Sequence, residues 1–171
     1  ISFFEGGIRV PFIVSWPDEI SPGLMSNSAV HHFDIFPTIV SAAKTTTSNK
    51  KELDGVNLLP YIKKENSEEP HETLFWRSGN HQSVLHKKWK YIVSKKENKS
   101  WLFDTSIDPL EKNNLIESHP KEAQKIEELL VQFNSEQKEP LFPSAFEAPI
   151  MIDKYDGQAY EEGDEYIYWS N

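Results

Sequence analysis

A chain of 171 residues with a net charge of −9, 12% aromatic side chains and no cysteine is long enough for one substantial core, or for the end of one domain and a small second one. The missing cysteine excludes disulfides, a thiol nucleophile, cysteine-held zinc and iron–sulfur clusters, and the aromatic content is too high for a disordered acidic chain. Residues 121–171 hold twelve acidic against four basic side chains, which argues against a nucleic-acid partner, and the longest apolar run, Val10–Val14, is far too short to cross a membrane.

Residues 8–16, IRVPFIVSW, read as a strand buried on both faces, as in a parallel α/β sheet. Pro11 inside it fits better at an edge or bulge. Pro17–Gly23 is a loop. Apolar residues at 35, 36, 39, 40 and 43 predict a helix over His32–Ala43, with Asp34 as N-cap and Pro37 in the first turn. Adjacent His31 and His32 lack the i, i+4 spacing of a zinc pair and read as structural. Lys44–Lys51 is a polar linker, and Leu53–Ile62 a short ordered segment.

From Thr73 the period changes. Thr73–Trp76, Gln82–Leu85, Lys90–Ser94 and Ser100–Asp104 are short strand-like runs, with Lys95–Lys99 as a hairpin loop. Pro120–Phe133 predicts a helix with Ala123, Ile126, Leu129, Leu130 and Phe133 on one face and Ser118 as its cap. Glu136–Asn171 reads as an extended tail with scattered aromatics, among them Tyr155, Tyr160, Tyr166, Tyr168 and Trp169, which pack on the domain or offer a sugar platform. The fold class is α+β: the end of an α/β sheet over 1–62, a four-stranded antiparallel sheet with one C-terminal helix over 71–134, and an acidic, aromatic tail over 135–171.

Six segments resemble the landmarks of one family, in its order. They are Glu5-Gly6-Gly7-Ile8-Arg9-Val10-Pro11, Asp34-Ile35-Phe36-Pro37-Thr38, Leu53-Asp54-Gly55-Val56-Asn57-Leu58-Leu59-Pro60, Leu74-Phe75-Trp76-Arg77, Trp89-Lys90-Tyr91-Ile92, and Leu102-Phe103-Asp104 through Asp108-Pro109 and Glu111 to Asn114-Leu115. Together they are similar to the C-terminal part of the type I sulfatases, which share an alkaline-phosphatase-like fold. Where the family usually carries Arg and Gly around its Trp-Lys pair, this chain has Leu85 and Lys87.

The resemblance implies sulfate-ester hydrolysis, on a sulfated carbohydrate, with a formylglycine nucleophile and a calcium ion. Neither is expected in this segment. The chain has no Cys/Ser-x-Pro/Ala-x-Arg motif and no paired-Asp metal strand, and the family's active-site lysine would fall just before Ile1. The expected role is to close the catalytic sheet and wall the substrate cleft as a partner of the preceding sulfatase chain, in a periplasmic or secreted enzyme, without turnover of its own. The alternatives are a phosphodiesterase or phosphonate hydrolase of the same superfamily and a non-catalytic glycan-binding module.

Arg77, His81, His71 and His86 flank the first strands of the second unit and are the substrate-binding candidates, Arg77 because its planar fork suits sulfate. Glu5 is a candidate for orienting that lysine, and Arg9 for pairing with Glu5 or with a carboxylate at the sheet end. Asp34 reads as a helix cap and no residue as a metal ligand. Lys87, Lys88, Lys90, Lys95, Lys96 and Lys99 read as a solvated hairpin edge rather than a polyanion patch.

Overall fold

The computed structural model describes residues 2–47, 52–139, 141–142, 147–154, 157–159 and 161–170. Tyr155, Tyr160 and residues 48–51 of the linker lie outside them. The chain divides into two compact units. One comprises Ile1–Val10 and Thr73–Asn171, the other Pro11–Glu72.

The first unit is built on a meander. Strands β1 (Thr73–Ser78), β2 (His81–His86), β3 (Trp89–Ser94) and β4 (Lys99–Asp104) pair antiparallel in that order. Gly79, at φ 52°, makes the tight turn between β1 and β2. Both faces of this sheet are covered, which is why its central strands lack clean polar alternation. On one face helix α4 (Pro120–Glu136) lays Ala123, Ile126 and Leu130 on Val84, Tyr91 and Leu102. Phe133 stacks flat on Phe75 with ring centroids 4.3 Å apart.

On the opposite face Ile92, Trp101 and Phe103 meet Phe4 from the N-terminal segment and Ile150, Ile152 and Ile167 from the C-terminal one. The region read as an extended tail thus contains a second pair, β5 (Glu147–Met151) against β6 (Tyr166–Ser170). Ile167 is its buried anchor. Ser118 does not cap α4. Its hydroxyl donates to the Leu115 carbonyl, and the N-cap is His119, which makes no side-chain cap bond. Pro120 at the first helical position removes one of the donors that would need a cap.

The N-terminal run forms no strand. Residues 5–8 make one helical turn, α1 (Glu5–Ile8), and the chain beyond it has no ladder partner among the described strands. A strand exists through its neighbours' hydrogen bonds, and the described strands pair only with one another, β1–β4 in one sheet and β5 with β6 in another. Val10, Phe12, Ile13 and Val14 are consequently exposed, Ile13 by 87%.

In the second unit a 3-10 turn (His32–Asp34) leads into α2 (Ile35–Ala42), and α3 (Leu59–Ile62) follows the Asp54-Gly55 bend. Gly55 is obligatory by packing: a Cβ there would sit 2.3 Å from the Phe33 carbonyl oxygen.

Ile126 is fully buried beneath the sheet, whereas Val131, on the same helix, is 64% exposed. Ile126→Ala is expected to destabilise the first unit by about 2–5 kcal/mol, and Val131→Ala by less than about 0.5 kcal/mol, in urea unfolding followed by circular dichroism.

Candidate functional site

Three of the motif segments meet at one buried ammonium. Lys90 of β3 is fully buried, with its Nζ 2.7 Å from Glu5 Oε1 and 2.9 Å from Glu111 Oε1. The Glu5 backbone N–H donates to the other Glu111 oxygen. Lys90 therefore does not belong to the solvated lysines of the hairpin. It shares its sheet face with Ile92 and Ser94, and that face is covered. The two-residue step from Ile92 was the available signal, and the density of lysines around it obscured that step.

The loop that supplies Glu111 is held from both ends. Asp108 accepts from the backbone N–H groups of Lys112 (3.1 Å) and Asn113 (2.8 Å). Asn114 Oδ1 accepts from Leu102 N–H, and its Nδ2 donates to the Ser100 carbonyl, closing the open edge of β4. Leu115 N–H completes that edge on the Leu102 carbonyl. Glu111 itself stands at φ 52°, a conformation that costs a side-chain-bearing residue about 1–2 kcal/mol. Burial pushes its carboxyl above the ordinary value of 4.5, against the pull of Lys90 and the Glu5 N–H. Arg9 meets the second Glu5 oxygen at 3.5 Å from an exposed position one helical turn on. Gly7 is required here because a Cβ would lie 2.0 Å from the Ser2 carbonyl oxygen.

The second unit has its own polar centre. Asp34, fully buried, accepts from His31 N–H (2.7 Å) and Val56 N–H (2.9 Å), and from His71 Nε2, which lies 2.9 Å from both of its oxygens. Against a carboxylate that ring nitrogen carries the proton. Asp34 opens α2 by position but makes no cap bond to it; its oxygens tie together the residues before α2, the Gly55 bend and the stretch before β1. His31 stacks on Phe33 at 4.0 Å, and burial lowers its imidazole.

The four substrate-binding candidates do not form one cluster. His71 sits in the second unit on Asp34. Arg77, half-buried, donates from Nη2 to the Lys138 carbonyl at 2.7 Å. His81 and His86, five residues apart on β2, point to opposite faces about 17 Å from each other. His81 bonds the Ser94 hydroxyl at 2.9 Å, and His86 Nδ1 meets the Thr73 hydroxyl at 2.8 Å. Among the described residues no group of three or more His, Cys, Asp or Glu side chains converges to hold a metal ion.

A family model for the C-terminal region of N-sulphoglucosamine sulphohydrolase matches residues 2–139. The chain belongs to this sulfatase family. Rat steryl-sulfatase is 30% identical over 116 residues, which cover 68% of this chain and 20% of the relative. The N-acetylgalactosamine-6-O-sulfatase of Bacteroides thetaiotaomicron is 25% identical over 143 residues, 75% of this chain and 28% of that one. A solved Bacteroides thetaiotaomicron sulfatase, described under the metabolism of multiple glycosaminoglycans, superposes with a TM-score of 0.66 at 26% identity over 78% of this chain and 31% of its own. The chain thus spans a fifth to a third of these sulfatases and is the C-terminal part of their fold.

Lys90→Met leaves two carboxylates facing each other without a cation. It is expected to cost the first unit about 3–5 kcal/mol in chemical denaturation, while the triple change Lys90→Met, Glu5→Leu, Glu111→Leu restores most of that loss. A carboxyl raised in the folded state contributes stability below its unfolded value near 4.5 and loses it as pH rises through the folded one. Glu111→Gln should therefore flatten the decline of melting temperature above about pH 4.5.

Proposed function

We propose that the sulfatase carrying this segment hydrolyses sulfate esters of carbohydrates, and that the segment closes the catalytic domain and borders its substrate cleft. The family match over residues 2–139 carries this reading. The glycan in the name of the N-acetylgalactosamine-6-O-sulfatase, and the glycosaminoglycan setting of the solved relative, support a carbohydrate substrate. The apolar surface of the second unit supports the closing role. Phe12, Ile13 and Val14 are exposed, as are Ile35, Phe36 and Ile39 of α2, and large apolar side chains exposed in groups are ordinarily covered. In our reading the remaining chain of the sulfatase covers it.

The calcium ion and the formylglycine of the family belong, in this reading, to that remaining chain. The residues described here do not fit either group, and no chemical step runs through this segment's side chains. Periplasmic or secreted placement follows the family habit only. Arg77 remains our candidate for the substrate side, because one bond to the Lys138 carbonyl leaves most of its five N–H donors for a sulfate or uronate.

The longer enzyme is expected to release sulfate from sulfated glycosaminoglycan disaccharides, and the 171-residue chain alone to release none; activity confined to phosphodiesters would overturn the reading. Arg77→Ala in the longer enzyme should raise KM for a sulfated disaccharide several-fold with kcat little changed. An unchanged KM removes Arg77 from the substrate side.

A further inference from the structure

The second unit contains a cleft that none of the motif interactions uses. It encloses about 230 Å³ between the Trp16–Ile20 turn, the end of α2 and the start of α3. Its walls include Trp16, Ser41, Lys44, Asn57 and Lys63, together with two carboxylates, Glu19 and Glu65. Glu19 and Lys63 also line a second hollow of about 340 Å³, where Lys64 joins them.

The chemistry of the walls is unusual for a crevice between two short helices. The Lys63 ammonium lies 6.0 Å from the Trp16 ring centroid and is ion-paired with Glu19. Lys44 and Lys64 each stand one residue beyond the C-cap of their helix, α2 and α3, at φ 50° and 58°. That position usually goes to glycine. Here it goes twice to lysine, and the two side chains reach adjoining hollows. Helix C-termini favour cations, which accounts for the sign of the charge but not for the indole beside it. Asn57 Oδ1 accepts from Leu59 N–H, and Nδ2 gives one hydrogen to the Ser41 hydroxyl at 3.0 Å, leaving the second for a ligand.

An aromatic face, an amide with a hydroxyl beside it, and ammonium groups at the rim suit a pyranose bearing an anionic substituent. The ring stacks its C–H face on the indole, the amide and hydroxyl meet sugar oxygens, and the ammoniums meet the anion. An apolar ligand would leave these charged and polar groups without water or partners.

We propose that this cleft binds one sugar unit of an anionic glycan, the ring on Trp16 and the sulfate or carboxylate on Lys44 and Lys63, with the anion taking the place of Glu19 on Lys63. The proposal rests on the sulfated-carbohydrate reading given above.

The test titrates the full chain, with the Trp16 indole resonance assigned, against three disaccharides: 6-sulfated chondroitin, unsulfated chondroitin and neutral N,N′-diacetylchitobiose. The sulfated probe should shift the Trp16 resonance, and the neutral one should not at ten-fold higher concentration. Shifts by the sulfated probe alone assign sulfate as the anion, and equal shifts by both chondroitin probes assign the carboxylate. Trp16→Ala and Lys63→Ala should each weaken the Kd at least ten-fold by calorimetry, and Trp16→Phe should restore most of the affinity. If Trp16→Ala fails to fold, Lys44→Gln, a surface change, decides by the same ten-fold criterion. No Trp16 shift, equal binding of the neutral sugar, or unchanged affinity in the variants overturns the proposal. Sulfate release by the longer enzyme without binding here removes this inference alone. Binding here without sulfate release from any glycan removes the functional reading and leaves the cleft.

Discussion

A lysine with no access to water constrains everything around it. Removing Lys90 from solvent carries a desolvation cost of several kcal/mol, and only carboxylates held at hydrogen-bonding distance offset it. One carboxylate neutralises the charge. The second, Glu111, is itself buried, so its own desolvation pushes its carboxyl upward against the pull of Lys90, and its backbone stands in a left-handed conformation. An apolar trio of similar volume would come close to the same stability. The ionic trio adds geometry: it joins residues 5, 90 and 111, so that the N-terminal turn, the third strand and the loop after the fourth have one register in which every charge is met. We regard this as specificity of assembly in place of extra stability, as with buried polar groups that select one packing from several.

The family landmarks become intelligible from this point. Asp108 folds its loop onto its own backbone, Glu111 turns inward from it, and Asn114 and Leu115 close the strand edge the loop leaves behind. The Trp-Lys pair divides across the sheet: Trp89 packs toward α4 while Lys90 faces the N-terminal turn. Gly7 and Gly55 allow backbone to pass close to backbone. The Asp34 centre repeats the logic in the second unit, with one carboxylate collecting N–H groups from three separated stretches.

Strands β1–β4 and helix α4 were legible in the sequence because each is decided locally, by short β-rich runs between close turns and by one apolar helical stripe. What escaped was decided at a distance. Residues 8–16 have the composition of a buried strand, yet composition cannot supply ladder partners, and within the described residues there are none. Ile167 and Ile150 lie far from Trp101 in sequence, in a stretch rich in Pro, Gly and acidic residues, so the β5–β6 pair carried too weak a local pattern to outweigh that composition. Lys90 stood among five other lysines, and only the covering of both sheet faces separates it from them. Of the candidate site, the residue types were readable, whereas their separation was not: five positions along one strand put His81 and His86 on opposite faces.

Local pattern does not settle which side chains the fold buries, as at Lys90, and which it leaves open, as at Ile13. The first unit is closed on both faces and anchored by an internal charge network. The second presents apolar side chains along residues 12–14 and on α2, and holds Asp34 as its buried polar centre. Exposed apolar side chains in such numbers ordinarily mark a surface that is covered. That division matches what the residues of the two polar centres do: Glu5, Lys90 and Glu111 fasten the first unit together, and Asp34 with His71 fastens the second.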